Sequence, residues 1–251
     1  MKVLGIVPAR YHSSRLPGKP LADICGKPMV WWVYQQALKC PKFDKVIVAT
    51  DDTRIEDFCK SENMEVMMTS PDGACLIDRL YEVSGRVQYD YYVSINGDEP
   101  LIEGEIIENV VPDFVNNDVP VVRGLMRNFT RPTDVIDPNN MKLVCTESGK
   151  LLLISRAPVP FPYKTAEYSY KKYVGVECYN KKALEFYANT PAGPIEKIED
   201  LGTLRFIEHD VDVYYTLVES NSLSVDTKKD LEYVRGVIKQ RLEKSNRGGA
   251  T

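Results

Sequence analysis

The residues with the most chemical content crowd into positions 7–21, where Arg10, Arg15 and Lys19 alternate with Pro8, Ala9, Ser13, Pro17 and Gly18. Three cations and a run of backbone N–H groups in a turn-rich loop suit a triphosphate, whose oxygens must exchange water for fixed donors. Gly18-Lys19 is not a Walker pair: that loop requires Gly where this chain has Ser13, and Ser or Thr where it has Pro20. The three spaced glycines of a dinucleotide fingerprint are also missing here. Two aspartates extend the set, Asp98 in Asn96-Gly97-Asp98-Glu99-Pro100 and Asp226 in Val225-Asp226-Thr227. If they converge they suit Mg²⁺, a hard cation that takes a few carboxylates together with water and phosphate oxygens. Each also has a plain structural use, Asp98 in an Asx turn beside Gly97 and Asp226 at a helix start where negative charge is favourable.

These residues can meet only if strands carry them to one edge. The apolar run 2–7 reads as a buried strand, and the cationic loop then leaves its carboxyl end, where open α/β sheets collect ligands. Further strands are predicted at 45–50, 65–68 and 91–95, with helices at 28–39, 54–61 and 77–87 between them. The β-α-β-α-β series argues for a mostly parallel, doubly wound α/β sheet of nucleotide-binding type. After residue 118 the pattern turns strand-rich, with runs at 120–126, 141–145 and 151–154, the last two forming a hairpin about the turn at 147–150. Three prolines and several tyrosines in 158–170 suit an irregular arm or a dimer contact. A last helix is capped by Thr227 and Asp230, and its stripe of Leu231, Val234, Ile238 and Leu242 is expected to pack on the sheet. The tail 245–251 is small and polar and is expected to be mobile. The whole chain, 1–251, reads as one domain with a dimerisation or acceptor-side subregion at about 120–180.

With 251 residues and 43% hydrophobic content the chain can bury a sizeable core. Its 32 Lys+Arg against 36 Asp+Glu give a net charge of -4, which speaks against nucleic acid as a partner and leaves any anionic ligand to a local cation cluster. The six cysteines lack C-x-x-C spacing and read as reduced thiols of a cytoplasmic protein. No apolar run approaches the roughly 18 residues of a membrane span. Two histidines leave almost no material for a histidine metal site or a serine-protease relay.

The phrases P-A-R-Y-H-S-S-R-L-P-G-K-P-L at 8–21, V-A-T-D-D at 48–52, G-D-E-P at 97–100, S-R-A-P-V-P-F at 155–161 and V-D-T-K-K-D-L-E at 225–232 resemble, in order, the 3-deoxy-manno-octulosonate (Kdo) cytidylyltransferase family. The resemblance implies transfer of CMP from CTP to an acidic sugar with release of pyrophosphate, in nucleotide-sugar and lipopolysaccharide biosynthesis, by a cytoplasmic homodimer. It implies phosphate-loop roles for Arg10, Ser13, Arg15 and Lys19 and magnesium ligation by Asp98 and Asp226. Pro8, Ala9 and Asn96 join the expected substrate-binding set, with Arg79 and Arg156 as cations for the acceptor; Lys142 and Lys172 are further candidates, Lys172 reading rather as a solvated surface residue.

The departures from the family pattern fall where it contacts sugar and base. Its S-G-T-D-R appears as Cys75-Leu76-Ile77-Asp78-Arg79, its Q-G-D-E as Asn96-Gly97-Asp98-Glu99. Its H-L-G-I-Y-G-Y appears as Tyr173-Val174-Gly175-Val176-Glu177-Cys178-Tyr179, and its L-E-Q-L-R as Leu201-Gly202-Thr203-Leu204-Arg205. Losing matched hydrogen-bond partners in a buried polar site changes selectivity by large factors, so an acceptor other than ordinary Kdo is expected. A nucleotidyltransferase for a phosphorylated sugar, polyol or phosphonate, with cytosine or another base, and a non-catalytic nucleotide-binding protein are the competing readings.

Overall fold

In the computed structural model, residues 1–12, 15–73, 75–165 and 167–248 are described. The first strand, β1 (Val3–Ala9), is buried along almost its whole length because both of its neighbours are parallel strands and both sheet faces are covered. The chain then passes a two-stranded hairpin, β2 (Asp23–Ile24) and β3 (Lys27–Pro28), into α1 (Met29–Ala37). Next come β4 (Lys45–Thr50), α2 (Thr53–Ser61), β5 (Val66–Met68), α3 (Leu76–Arg86) and β6 (Tyr91–Ile95). Asp52 caps α2, its side chain accepting from the Arg54 N–H at 3.0 Å. The predicted βαβ series is therefore present, with ends moved by no more than two residues.

The strand-rich half holds β7 (Val122–Asn128), the short helix α4 (Pro132–Val135), β8 (Lys142–Cys145), β9 (Leu151–Ser155), β10 (Lys171–Asn180), helices α5 (Lys181–Asn189), α6 (Pro194–Glu199) and α7 (Thr203–Glu208), β11 (Val213–Leu217) and α8 (Lys228–Gly248). The sheet runs β11-β7-β10-β6-β1-β4-β5, with the β8–β9 hairpin attached to β10. Strands β6, β1, β4 and β5 are mutually parallel, as are β7 and β11; β10 is antiparallel to β6 and β7 and joins the two groups. One face of the sheet packs on α1 and α2, the other on α3, α5 and α7.

Two sequence expectations are corrected. Helix α8 does not pack on the large sheet: Leu231, Val234 and Ile238 join Leu16, Ile24, Met29, Leu101 and Val225 in a separate cluster under the β2–β3 hairpin, and Leu242 stays exposed. The capping box itself forms, Asp230 accepting from the Thr227 N–H at 2.8 Å while Thr227 Oγ1 accepts from the Asp230 N–H at 3.3 Å. The tail expected to be mobile from Ser245 continues as helix to Gly248, and residues 249–251 lie outside the described ones.

Candidate active site

Because β1, β4 and β6 are parallel, the segments after Ala9, Thr50 and Ile95 leave the same edge of the sheet. The first and third touch: a Cβ on Gly97 would lie 2.6 Å from the Pro8 carbonyl oxygen, so only glycine permits this approach. Gly18, at φ 68 in the left-handed region, turns the loop into the 3-10 turn Lys19–Leu21. That turn delivers Lys19 to the centre of the site.

The Lys19 ammonium donates to Asp98 Oδ2 at 2.7 Å and to the Val225 carbonyl at 3.0 Å, and lies 3.5 Å from Asp226 Oδ1. Arg15 Nη2 donates to the same Asp226 oxygen at 2.9 Å, and its Nη1 to Asn139. The Val225 N–H donates to the Asp98 carbonyl at 2.8 Å, which ties the entrance to α8 directly to the loop after β6. Two aspartates 128 positions apart thus meet on one cation. Among the described residues Asp98 Oδ1, which is buried, has no hydrogen-bond partner. A buried carboxylate oxygen left unmatched is costly unless a ligand completes it.

No group of three or more His, Cys, Asp or Glu gathers as a metal cage among the described residues. The donor set still fits a hard divalent cation, which takes one or two carboxylates and fills its remaining positions with phosphate oxygens and water.

Pro8, Ala9, Arg10, Arg15, Lys19, Arg79, Asn96 and Asp98 line one cavity of about 500 Å³. Arg10 donates to the Gly73 carbonyl at 3.1 Å, pinning the segment before α3. Asp226 faces an adjoining cavity of about 580 Å³. Ser13 lies outside the described residues.

The two arginines expected at the acceptor are placed differently. Arg79 is 2% exposed, and its outer nitrogens donate to Asp51 Oδ2 at 3.0 Å and to the Thr69 hydroxyl, which makes it a fixed part of the wall. Arg156 is not among the residues lining these cavities: its guanidinium donates to the carbonyls of Glu199 at 2.7 Å, Pro138 at 3.1 Å and Asp200 at 3.3 Å. It clamps the end of α6 and has few donors left for a ligand.

Two lysines are also corrected. Lys142 is fully buried, donating to the carbonyls of Asp137 at 3.0 Å, Asn140 at 2.8 Å and Arg156, and burial pulls its ammonium below the usual lysine range. Lys172 is 8% exposed rather than solvated; burial lowers its pKa while nearby Glu99 opposes the fall.

A second chamber of about 260 Å³ shares Cys75, Leu76, Asn96 and Asp200 with the first cavity and runs beneath α7. Glu177 lines it at 4% exposure, accepting from Tyr179 Oη at 2.7 Å, Tyr215 Oη at 2.5 Å and Thr203 Oγ1 at 3.1 Å. Sequence reasoning did not single out Glu177. The available signal was a carboxylate inside the apolar run of β10.

A family profile described as Cytidylyltransferase matches residues 4–217. A 3-deoxy-manno-octulosonate cytidylyltransferase of Fusobacterium nucleatum is 36% identical over 241 residues, covering 96% of this chain and 98% of the relative. The solved structure of a CMP:2-keto-3-deoxy-manno-octonic acid synthetase in complex with CTP superposes with a TM-score of 0.89 at 34% identity, covering 96% of this chain and all of that one. A cytidylyltransferase from Leptospira borgpetersenii shares the fold at a TM-score of 0.63, 19% identity and coverage of 96% and 87%.

Proposed function

Because the chain belongs to the 3-deoxy-manno-octulosonate cytidylyltransferase family, we propose that it transfers CMP from CTP to Kdo or a Kdo-like acid, with Mg²⁺ required and pyrophosphate released. The observation that carries this reading is the meeting of Asp98 and Asp226 on Lys19, with Asp98 Oδ1 buried and unpartnered among the described residues.

In the reaction a sugar hydroxyl oxygen forms a bond to the α-phosphorus of CTP, the bond from that phosphorus to the bridging oxygen of pyrophosphate breaks, and the hydroxyl proton is lost. Arg10, Arg15, Lys19 and the N–H groups of their loop bind the phosphates and draw charge toward the leaving group. Pro8 and Ala9 bring backbone close to the nucleotide, and Asn96 presents an amide to the same cavity. Asp98 and Asp226 would hold Mg²⁺, which when bound supplies positive charge against the α-phosphate and fixes its orientation. Fixed charges of this kind matter because the nucleophile must approach an anion.

The described part of the segment 158–170, with Phe161 80% and Tyr163 89% exposed, supports assembly as a homodimer. Sedimentation equilibrium of the protein and of the Phe161→Ser/Tyr163→Ser double variant would measure it, the variant being expected to dissociate more readily.

The decisive experiment for the activity measures pyrophosphate from each of the four nucleoside triphosphates with Mg²⁺ and a panel of acidic sugars. CTP-dependent release with at least one acceptor is expected. Its absence with every acceptor, while CTP and Mg²⁺ still bind, would leave a nucleotide-binding protein without this chemistry.

A further inference from the structure

The departures from the family pattern converge in space. Cys75, Leu76 and Ile77 stand for Ser, Gly and Thr, Tyr173 for His, and Glu177 for Tyr; Gly202 and Thr203 replace Glu and Gln. Every one of these residues lines the 260 Å³ chamber, although they come from α3, β10 and the start of α7. Substitutions scattered over 129 positions of chain have therefore rebuilt a single wall, which points to a changed occupant.

The chamber's described lining carries negative charge only: it contains Glu177 and Asp200 and no Lys, Arg or His. Glu177 forms no ion pair with a described residue, and neither does Asp200, an exposed residue shared with the nucleotide cavity. Leu76, Ile77, Met141, Ile154 and Leu201 form the apolar part of the remaining wall beside the uncharged polar Asn96, Tyr173 and Thr203, and Glu177, 4% exposed, is poorly screened by solvent. A carboxylate or phosphate on the acceptor is repelled from such a space and must stay on the side of the cations.

Hydrogen bonding does not describe what Glu177 lacks. Its two oxygens already accept three hydroxyls, from Tyr179, Tyr215 and Thr203, out of roughly four lone-pair sites. Burial keeps Tyr179 and Tyr215 protonated far beyond neutral pH, so they remain neutral donors. What is unmet is charge. The one remaining lone-pair site could take a hydroxyl, but an ammonium group gains in addition from the uncompensated charge, at contact or slightly beyond it.

We propose that the acceptor is an amino-bearing acidic sugar whose protonated amine sits in this chamber between Glu177 and Asp200. The inference rests on the cytidylyltransferase reading and names the acceptor class of that same site. Glu177 and Asp200 act as specificity residues, and the acid group of the sugar remains with the cations near the phosphates.

The test compares kcat/KM for Kdo with that for Kdo analogues in which one side-chain hydroxyl at a time is replaced by an amine, each amine also supplied in N-acetylated form. At least one amine is expected to exceed both Kdo and its own N-acetyl form by roughly tenfold or more, with the preference falling to within about threefold in Glu177→Gln and weakening in Asp200→Asn. If Glu177→Gln fails to fold, the comparison on the native protein together with Asp200→Asn decides. Turnover with Kdo equal to or better than with every amine overturns the inference and leaves the cytidylyltransferase reading standing. No turnover with any acceptor overturns both.

Discussion

At the nucleotide end of the cleft Lys19 pairs with both Asp98 and Asp226, while Asp98 Oδ1 stays unmatched among the described residues, and the three side chains are still 15%, 24% and 17% exposed, within reach of solvent and ligand. In the side chamber Glu177 is 4% exposed and is satisfied by neutral hydroxyls from three separate elements. In the proposed reaction the first arrangement is exchangeable: phosphate would replace a carboxylate on Lys19, and a divalent ion would replace the ammonium on Asp98. The second is fixed, because removing any member strands a buried polar group. One region re-pairs its own side chains when a charged ligand arrives; the other meets the acceptor with side chains already fixed in shape and charge.

The largest effect separates the two regions by activity. Asp98→Asn and Asp226→Asn are each expected to reduce kcat by at least 10²–10³-fold, the scale of losing one positioned electrostatic partner of a transition state. Thermal unfolding should shift little, since neither substitution removes packing and the Val225 to Asp98 backbone bond remains. A variant that lost activity only by unfolding would contradict the exchangeable character of this end.

The chamber is probed through stability at alkaline pH. Tyr173, Tyr179 and Tyr215 are raised well above the ordinary tyrosine value, by burial first and by the charge of Glu177 next. As pH climbs past about 10 the unfolded chain gives up these protons while the folded one keeps them, so stability falls. The slope is about 1.4 kcal/mol per pH unit for each tyrosine, roughly 4 for the three. Urea unfolding between pH 8 and 11 should show stability falling from about pH 9, where the burial-raised thiols of Cys40, Cys59, Cys145 and Cys178 begin to contribute, and falling more steeply past about 10 as the tyrosines add to it, and much of the tyrosine part should persist in Glu177→Gln because burial is the leading cause. A profile that does not steepen past about 10 would mean that the chamber is open to water.

Gly97→Ala tests the join between the loops after β1 and β6. The added methyl would lie 2.6 Å from the Pro8 carbonyl, a backbone atom with no rotamer to adopt, so β1 and β6 must part at their ends. Overpacking of this kind costs about 1–3 kcal/mol. A chemical denaturation midpoint unchanged from the native protein would show that the two loops do not need this approach.

The same contrast explains what could be read in advance. The phosphate loop was legible because its cations and turn residues are neighbours in sequence and follow a strand that announces itself. The parallel strands β1, β4 and β6 were legible as continuous apolar runs, a pattern that follows from burial on both faces. Strand β10 was not, although it joins the two halves of the sheet: its run interrupts apolar residues with Gly175 and Glu177 and lacks alternation, since both of its faces are covered. Lys172 passed as a surface residue for a related reason, because the charged groups that surround it, Glu99 and Arg127, come from distant segments. The α8 stripe was seen correctly as apolar, but periodicity names a buried face without naming what covers it. Arg156 and Arg79 show the same limit, since a cation's partners are decided by the tertiary fold.

The smallest stability effect belongs to Arg15, and it sharpens the comparison most directly. Its side chain is 51% exposed, and the 2.9 Å pair with Asp226 is therefore screened by water and salt. Exposed pairs of this kind contribute about 0–1 kcal/mol. Arg15→Ala is thus expected to leave the urea midpoint nearly unchanged, within roughly 0.5 kcal/mol. CTP affinity, read by calorimetry, should nevertheless fall about tenfold, because a charged donor to phosphate contributes on the order of 1.5 kcal/mol. Raising ionic strength should narrow the difference between the two proteins in CTP binding, as expected for a contact at an open surface. A variant that lost several kcal/mol of stability instead would show that the cationic loop is a structural strut like the chamber, and the distinction between an exchangeable and a fixed end of the cleft would disappear.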